Sequence, residues 1–192
     1  MPYAPACGGT GLPQGVMSIM ATFTWTDESA VQVSADSSVH PISAEIRGLR
    51  GEATCDVVDG ALVPGPGAGG WVEGDVAQLE TGKRLEDMAL RKQIDAKRHP
   101  NVRYEVRGVE GSGGSFKVSG AFTFHGETRE FTDECSARLE GGRLVIDAEH
   151  VVDIRDFGVK PFKVLTLSIQ PEARLTLHLV GSESGGSAPA WG

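Results

Sequence analysis

No lysine or arginine precedes Arg47 in the 192-residue sequence. A secretory leader needs a basic region ahead of its apolar core, and the apolar residues near this N-terminus are interrupted by Gly, Pro and polar side chains, so export by that route is not expected. No run of about 18 apolar residues occurs, which removes a membrane-spanning helix. Cysteine is scarce. Cys7, Cys55 and Cys135 are odd in number and share no CxxC-type spacing, so neither a disulfide framework nor a zinc site is indicated, and a reducing, cytoplasmic setting is expected. His40, His99, His125, His150 and His178 show no HxH or HExxH spacing, and no metal site is expected. There is no GxSxG elbow, no phosphate-binding loop and no GxGxxG between a strand and a helix, so nothing in the sequence signals an enzyme. Positive charge is also in deficit. The 18 Lys and Arg against 26 Asp and Glu leave a net charge of −8. That argues against nucleic acid or an anionic membrane surface as partner, since either needs a basic field.

What the sequence does contain is period-2 alternation. Its clearest stretch is residues 114–126, GSFKVSGAFTFHG. Phe116, Val118, Gly120, Phe122 and Phe124 share one parity, and polar residues dominate the other. This is a strand with one apolar face, and the following Gly-containing turn predicts an antiparallel hairpin into 127–137, with His125 in the turn on the wet parity. Alternation recurs at Phe23 and Trp25, at Val31, Val33 and Ala35, at Ile42, Ala44 and Ile46, over 51–58, at Val102, Tyr104 and Val106, and over 144–154. In that last stretch His150 is the polar intruder on an apolar parity. Residues 163–169 and 174–180 read as two strands divided by a turn at 170–172. Residues 59–70, DGALVPGPGAGG, carry too much Gly and Pro for a ladder and read as a loop.

One helical region interrupts the strands, at 81–99. Asp87 and Arg91 form a favourably ordered i,i+4 pair, Leu90 and Ile94 share a face, Asp95 caps a further turn and Pro100 ends it. Leu85, Met88 and Leu90 could together form a lid at a barrel mouth. Many short strands with one helical excursion predict a single all-β domain, a barrel or sandwich, over residues 21–181. Residues 1–20 read as a flexible extension and 182–192 as a disordered tail.

Five stretches carry a family resemblance. They are Leu79-Glu80-Thr81-Gly82, then Asp87 with Leu90-Arg91, then His99-Pro100-Asn101-Val102-Arg103-Tyr104. Next comes Gly120-Ala121-Phe122-Thr123-Phe124-His125-Gly126-Glu127-Thr128-Arg129, and last Asp156-Phe157-Gly158. In this order and spacing the chain resembles the YceI family of lipocalin-like barrels. The resemblance implies an eight-stranded antiparallel barrel with a helix near its mouth. It also implies an interior that holds a polyisoprenoid, an isoprenoid quinone or a fatty-acid derivative. Two departures stand out. Many relatives carry a signal peptide and work in the periplasm. In the strand before Asp156 the family often has an Arg two residues ahead of the Asp and a small residue mid-strand, where this chain has Ile154 and His150, and Arg155 falls on the opposite face. A narrower or more polar cavity is therefore expected.

On this resemblance the ligand-binding residues are Trp25, Leu90, Tyr104, Phe116, Val118, Phe122, Phe124, Ile146, His150 and Phe157. The partner is an apolar small molecule, with no cofactor beyond a bound isoprenoid or fatty-acid-like lipid, and a homodimer is left open. The chain is expected to sequester or carry that molecule without catalysis. Two other readings stay open, because alternation alone does not separate a cavity lining from a filled core. One is a filled barrel acting as a structural or stress-response interaction protein. The other is an enzyme on the same scaffold, using His150 and a nearby carboxylate.

Overall fold

The computed structural model describes residues 18–184. In chain order the strands are β1 (Ser18–Trp25), β2 (Ala30–Ser37), β3 (Ile42–Ile46), β4 (Arg50–Val58), β5 (Ala61–Val63) and β6 (Gly69–Asp75). A helix α1 (Arg84–Gln93) follows, then β7 (Asn101–Ser112), β8 (Ser115–Phe124), β9 (Glu127–Glu140), β10 (Arg143–Asp153), β11 (Lys163–Val164) and β12 (Leu167–Glu183). Eight of them close an antiparallel barrel in the order β1-β4-β6-β7-β8-β9-β10-β12, with β12 returning to β1. Closure leaves no bare sheet edge around this ring.

The remaining strands widen one end. β1 pairs with β12 at Gly181–Glu183, and β2 pairs with the same edge of β12 from His178 to Ile169. β1 and β2 are therefore one long strand bent at residues 26–29. The bend is fixed by fully buried Ser29, whose hydroxyl donates to the Val180 carbonyl (3.1 Å) and accepts from the Val180 amide (2.9 Å). β3 pairs with β2, and its outer side is closed by reciprocal bonds between the Glu45 and Glu80 backbones, each 2.9 Å. The chain then enters α1, which packs against β11.

Tight hairpins set the registers. His125 (φ 52°) and Gly126 (φ 83°) both lie in the left-handed region, the type I′ geometry that matches strand twist. Residues 59–70 are not a plain loop. Their turn at Asp59-Gly60 folds back as β5 on β4, because Leu62 has an apolar end of the barrel to cover. Strand β1 begins at Ser18 and β12 ends at Glu183, so the ladder extends beyond the expected limits at both ends by pairing Ser18 with Val58 and Phe23 with Glu183. The rest of the expected extension and tail, 1–17 and 185–192, lies outside the described residues. Residues 170–172 are not a turn: β12 runs through them, and the register with β2 shifts between Ile169 and Ala173. Pro171, lacking an N–H, sits at that irregularity.

At the helix the expected Asp87–Arg91 pair is not the dominant contact of either residue. Asp87 accepts from the Thr81 amide and hydroxyl (both 2.6 Å), and Arg91 donates twice to the Leu79 carbonyl (3.1 and 2.9 Å), so both hold the segment entering the helix. Asp95 does not cap with its side chain; with φ 48° it turns the chain, and its carbonyl accepts from the Arg98 and His99 amides.

Two outcomes follow. Ser29→Ala strands the Val180 amide in a buried bend and is expected to cost about 1–3 kcal/mol in urea unfolding; a loss under about 0.5 kcal/mol would show that the bend is held elsewhere. Burial raises the Asp87 pKa, but the two Thr81 hydrogen bonds and the Arg91 charge outweigh it and hold the carboxyl low. A depressed folded pKa means that the stabilisation is complete above the ordinary carboxylate range and fades as pH falls through the lowered value. Asp87→Asn should therefore flatten the acid limb of stability against pH, which thermal melts between about pH 3 and 6 would read.

Candidate ligand-binding site

The ring encloses a cavity of about 330 Å³ with an almost wholly hydrocarbon lining. That is within the range of small-molecule sites, about 300–1,000 Å³. Alternation positions its wall. The β8 residues Phe116, Val118, Phe122 and Phe124 face in, as do Tyr104 from β7, Ile146 and His150 from β10 and Trp25 from β1. Leu90 enters from α1 with Ile94, closing the end at which β7 begins. The pairing of Gly69 with Thr54 and Asp75 with Asn101 puts β5 at the opposite end, where Leu62 contributes. Near the middle, the Trp25 indole N–H donates to the Trp71 carbonyl (2.9 Å). A Cβ on Gly51 (φ 134°) would collide with that same carbonyl, so only glycine lets the two strands approach there.

Nine of the ten residues expected at the site thus border one cavity. The tenth, Phe157, does not. It is fully buried in a 3₁₀ turn, Ile154–Phe157, and stands behind the lining with its ring against Phe122 (5.4 Å between centroids), Phe124 (5.9 Å) and Phe131 (6.4 Å). The turn is held from two sides. A ring N–H of His125, at Nδ1, donates to the Phe157 carbonyl (3.1 Å), and Arg129 Nη2 donates to the Asp156 carbonyl (2.7 Å). His125 is a structural strap.

This turn lies where the wall is incomplete. β10 pairs with β12 as far as Asp153, yet its pairing with β9 stops at Ala148 and Cys135. Side chains span the gap beyond. His150 Nδ1 donates to Asp133 Oδ1 (2.6 Å), the Phe131 ring lies 4.2 Å from the imidazole, and Phe157 fills the space below. His150 Nε2 is buried without a hydrogen-bond partner among the described residues. Chemically, the site offers an apolar tube whose wall carries the Asp133–His150 pair and the Tyr104 phenol, which suits a hydrocarbon body more than a reacting polar group.

Asp133, Phe131 and Cys135 were missed in the sequence, although 131, 133, 135, 137 and 139 share one parity; Asp133 breaks the apolar count in its middle. Cys55, from β4, is another overlooked lining residue. Burial in the wall shifts three ionisable groups. Burial, then the charges of Asp133 and Cys135, push the Tyr104 phenol up to about 12. Burial, with Asp56 adding, pushes the Cys55 thiol up to about 11, and burial and then Asp133 raise Cys135. Each shift disfavours the charged form. Among the described residues, no three His, Cys, Asp or Glu side chains converge as a metal site, and no helix is long and apolar enough to cross a membrane.

The solved structures that resemble this architecture share little sequence with it. BcnA of Burkholderia cenocepacia superposes with a TM-score of 0.67 at 17% identity, over 80% of this chain and 96% of its own. A polyisoprenoid-binding domain from Saccharophagus degradans, implicated in plant cell wall breakdown, gives 0.67 at 12% identity, over 86% of this chain and all of its own. The Campylobacter jejuni YceI protein gives 0.59 at 12% identity, over 76% and 86%. At these identities the likeness establishes the fold. No curated protein matches the chain. A family model described as YceI-like domain matches residues 24–181, from the end of β1 to Gly181 near the end of β12. The chain belongs to the YceI-like family.

Proposed function

We propose that the barrel binds an elongated apolar molecule, a polyisoprenoid, an isoprenoid quinone or a fatty-acid derivative, and sequesters or carries it in the cytoplasm without chemistry of its own. The observation that carries this reading is the cavity of about 330 Å³, lined from Phe116 to Leu90 almost wholly by hydrocarbon. An empty space of that kind forfeits dispersion contacts, whereas an apolar ligand restores them and adds about 25 cal/mol for each Å² of apolar surface removed from water. The polyisoprenoid-binding neighbour supports the same ligand class. The free thiols Cys55 and Cys135 fit a reducing compartment.

The Asp133–His150 pair supports two finer readings. In the first, the wall gives a ligand's single polar end one place to bond. In the second, the pair acts on a bound molecule, as a general base held by its carboxylate. His150→Ala decides between them: turnover of any lipid substrate that vanishes in this variant, with folding intact, would favour catalysis, and a change in ligand preference alone favours binding.

Organic extraction and mass spectrometry of the purified protein test the main reading, with Val118→Phe as the variant that fills the tube. The expected result is a stoichiometric lipid in the native chain and its loss from the variant, at a stability cost within about 3 kcal/mol. A native protein that yields no lipid and whose melting temperature is unmoved by added isoprenoids or fatty acids would contradict it. The raised pKa values of Cys55 and Cys135 give an independent check. Alkylation at pH 8 should be slow in the folded protein, slower again with ligand bound and fast in denaturant. Rapid modification of both thiols in the folded, loaded state would mean that the wall is not dry.

A further inference from the structure

The outer face of α1 is an unexpected surface. Leu90 and Ile94 point into the barrel and Glu86 is buried against Lys83. At 100° per residue the opposite side of the helix presents Arg84, Leu85, Met88 and Lys92. Leu85 is 68% exposed and Met88 59% exposed, so the three apolar residues expected to act together as a lid are divided, one inward and two outward. Two neighbouring loops add to this face. Gln93 Nε2 donates to the Lys163 carbonyl (3.4 Å), which sets the β11–β12 turn with Leu165, 57% exposed, beside the helix. The Ser38 amide in turn donates to the Ser168 carbonyl (3.0 Å), which brings Val39, 74% exposed, next to that turn. Four large apolar side chains therefore stand in solvent at the one end of the barrel that the helix closes.

Several cations at this end are unpaired, although Arg98 is held by Asp95. Lys83 is engaged by Glu86 and Arg91 by the Leu79 carbonyl. Among the described residues, the Lys and Arg side chains with neither an ion pair nor a hydrogen bond are Arg84, Lys92, Lys97, Lys160, Lys163 and Lys117, and all but Lys117 lie on α1 or in the segments that follow it and the 3₁₀ turn. No carboxylate shares the outer side of the helix, since Glu86 is buried and Asp87 is turned to Thr81. Exposed apolar side chains flanked by unpaired cations are the composition of a segment that lies in the interface of an anionic bilayer. The net charge of −8 belongs to the whole chain, and a bilayer meets only the face turned toward it.

We infer that this end of the barrel docks on an anionic lipid bilayer, with Leu85, Met88, Leu165 and Val39 entering the interface and Arg84, Lys92 and Lys163 meeting headgroup phosphates. The purpose, passage of an apolar ligand between bilayer and cavity past α1, rests on the carrier reading; the docking itself does not. Flotation with vesicles of phosphatidylcholine alone and of phosphatidylcholine mixed with phosphatidylglycerol tests it. The full chain should float with the mixed vesicles at low salt, be released by high salt, and stay behind with phosphatidylcholine alone. Removing two cations by Arg84→Gln with Lys92→Gln should weaken binding roughly thirtyfold. Leu85→Ser with Met88→Ser should weaken it as well, and Lys117→Gln should leave it unchanged. No flotation at low salt, equal flotation with both vesicles, or equal weakening by Lys117→Gln would overturn the proposal. All four helix positions lie outside the lining, so the lipid content of the same variants reports on the carrier reading separately: lost docking with retained ligand fails one and spares the other.

Discussion

The structure depends on one constraint, that a closed antiparallel ring turns every second side chain inward. Once β12 pairs with β1 the ring has no edge, and each strand's parity is committed to either the cavity or the solvent. A slip of one residue would send Phe116, Phe122 and Phe124 into water and their polar neighbours into the tube. The hairpins at His125-Gly126 and the bend at Ser29 are the devices that prevent such a slip, the first by a turn that fits strand twist and the second by giving a buried backbone amide and carbonyl their partners.

That constraint explains why so much of the barrel could be read from the sequence. Where a strand alternates cleanly, as in β8 and β10, parity alone placed Phe116, Phe122, Ile146 and His150 on the inner wall. Parity did not reveal what interrupts the pattern. Asp133 sits inward because His150 and the end of the β9–β10 ladder give it a partner, and a lone carboxylate in an alternating run carries no such information. Phe157 was expected in the lining and stands behind the wall instead, because its place depends on a 3₁₀ turn tied down by His125 and Arg129 from another hairpin. The β5 hairpin was hidden by Gly and Pro, and Pro171 suggested a turn where the chain tolerates an irregularity within a strand. In each case the missing information was a contact between distant segments.

The two ends of the barrel are unlike. One is covered by the β4–β5 hairpin through Leu62, the other by α1 through Leu90 and Ile94, with the gap between β9 and β10 filled by the Asp133–His150 pair, Phe131 and Phe157. The His150 departure from the family pattern falls in this gap rather than in the middle of a continuous ladder. It makes the wall more polar at one point only. Burial in the rest of the wall is what raises the pKa values of Tyr104, Cys55 and Cys135.

The central claim is that the tube is a dry compartment occupied by a hydrocarbon ligand. A high-resolution crystal structure of the protein as purified addresses it directly. The account predicts one elongated, unbranched or regularly branched feature of electron density running along the inner face of β8 from Phe116 towards Leu90, within van der Waals distance of Val118 and Ile146. Ordered water along that path, or side chains collapsed across it with no continuous cavity, would contradict the account.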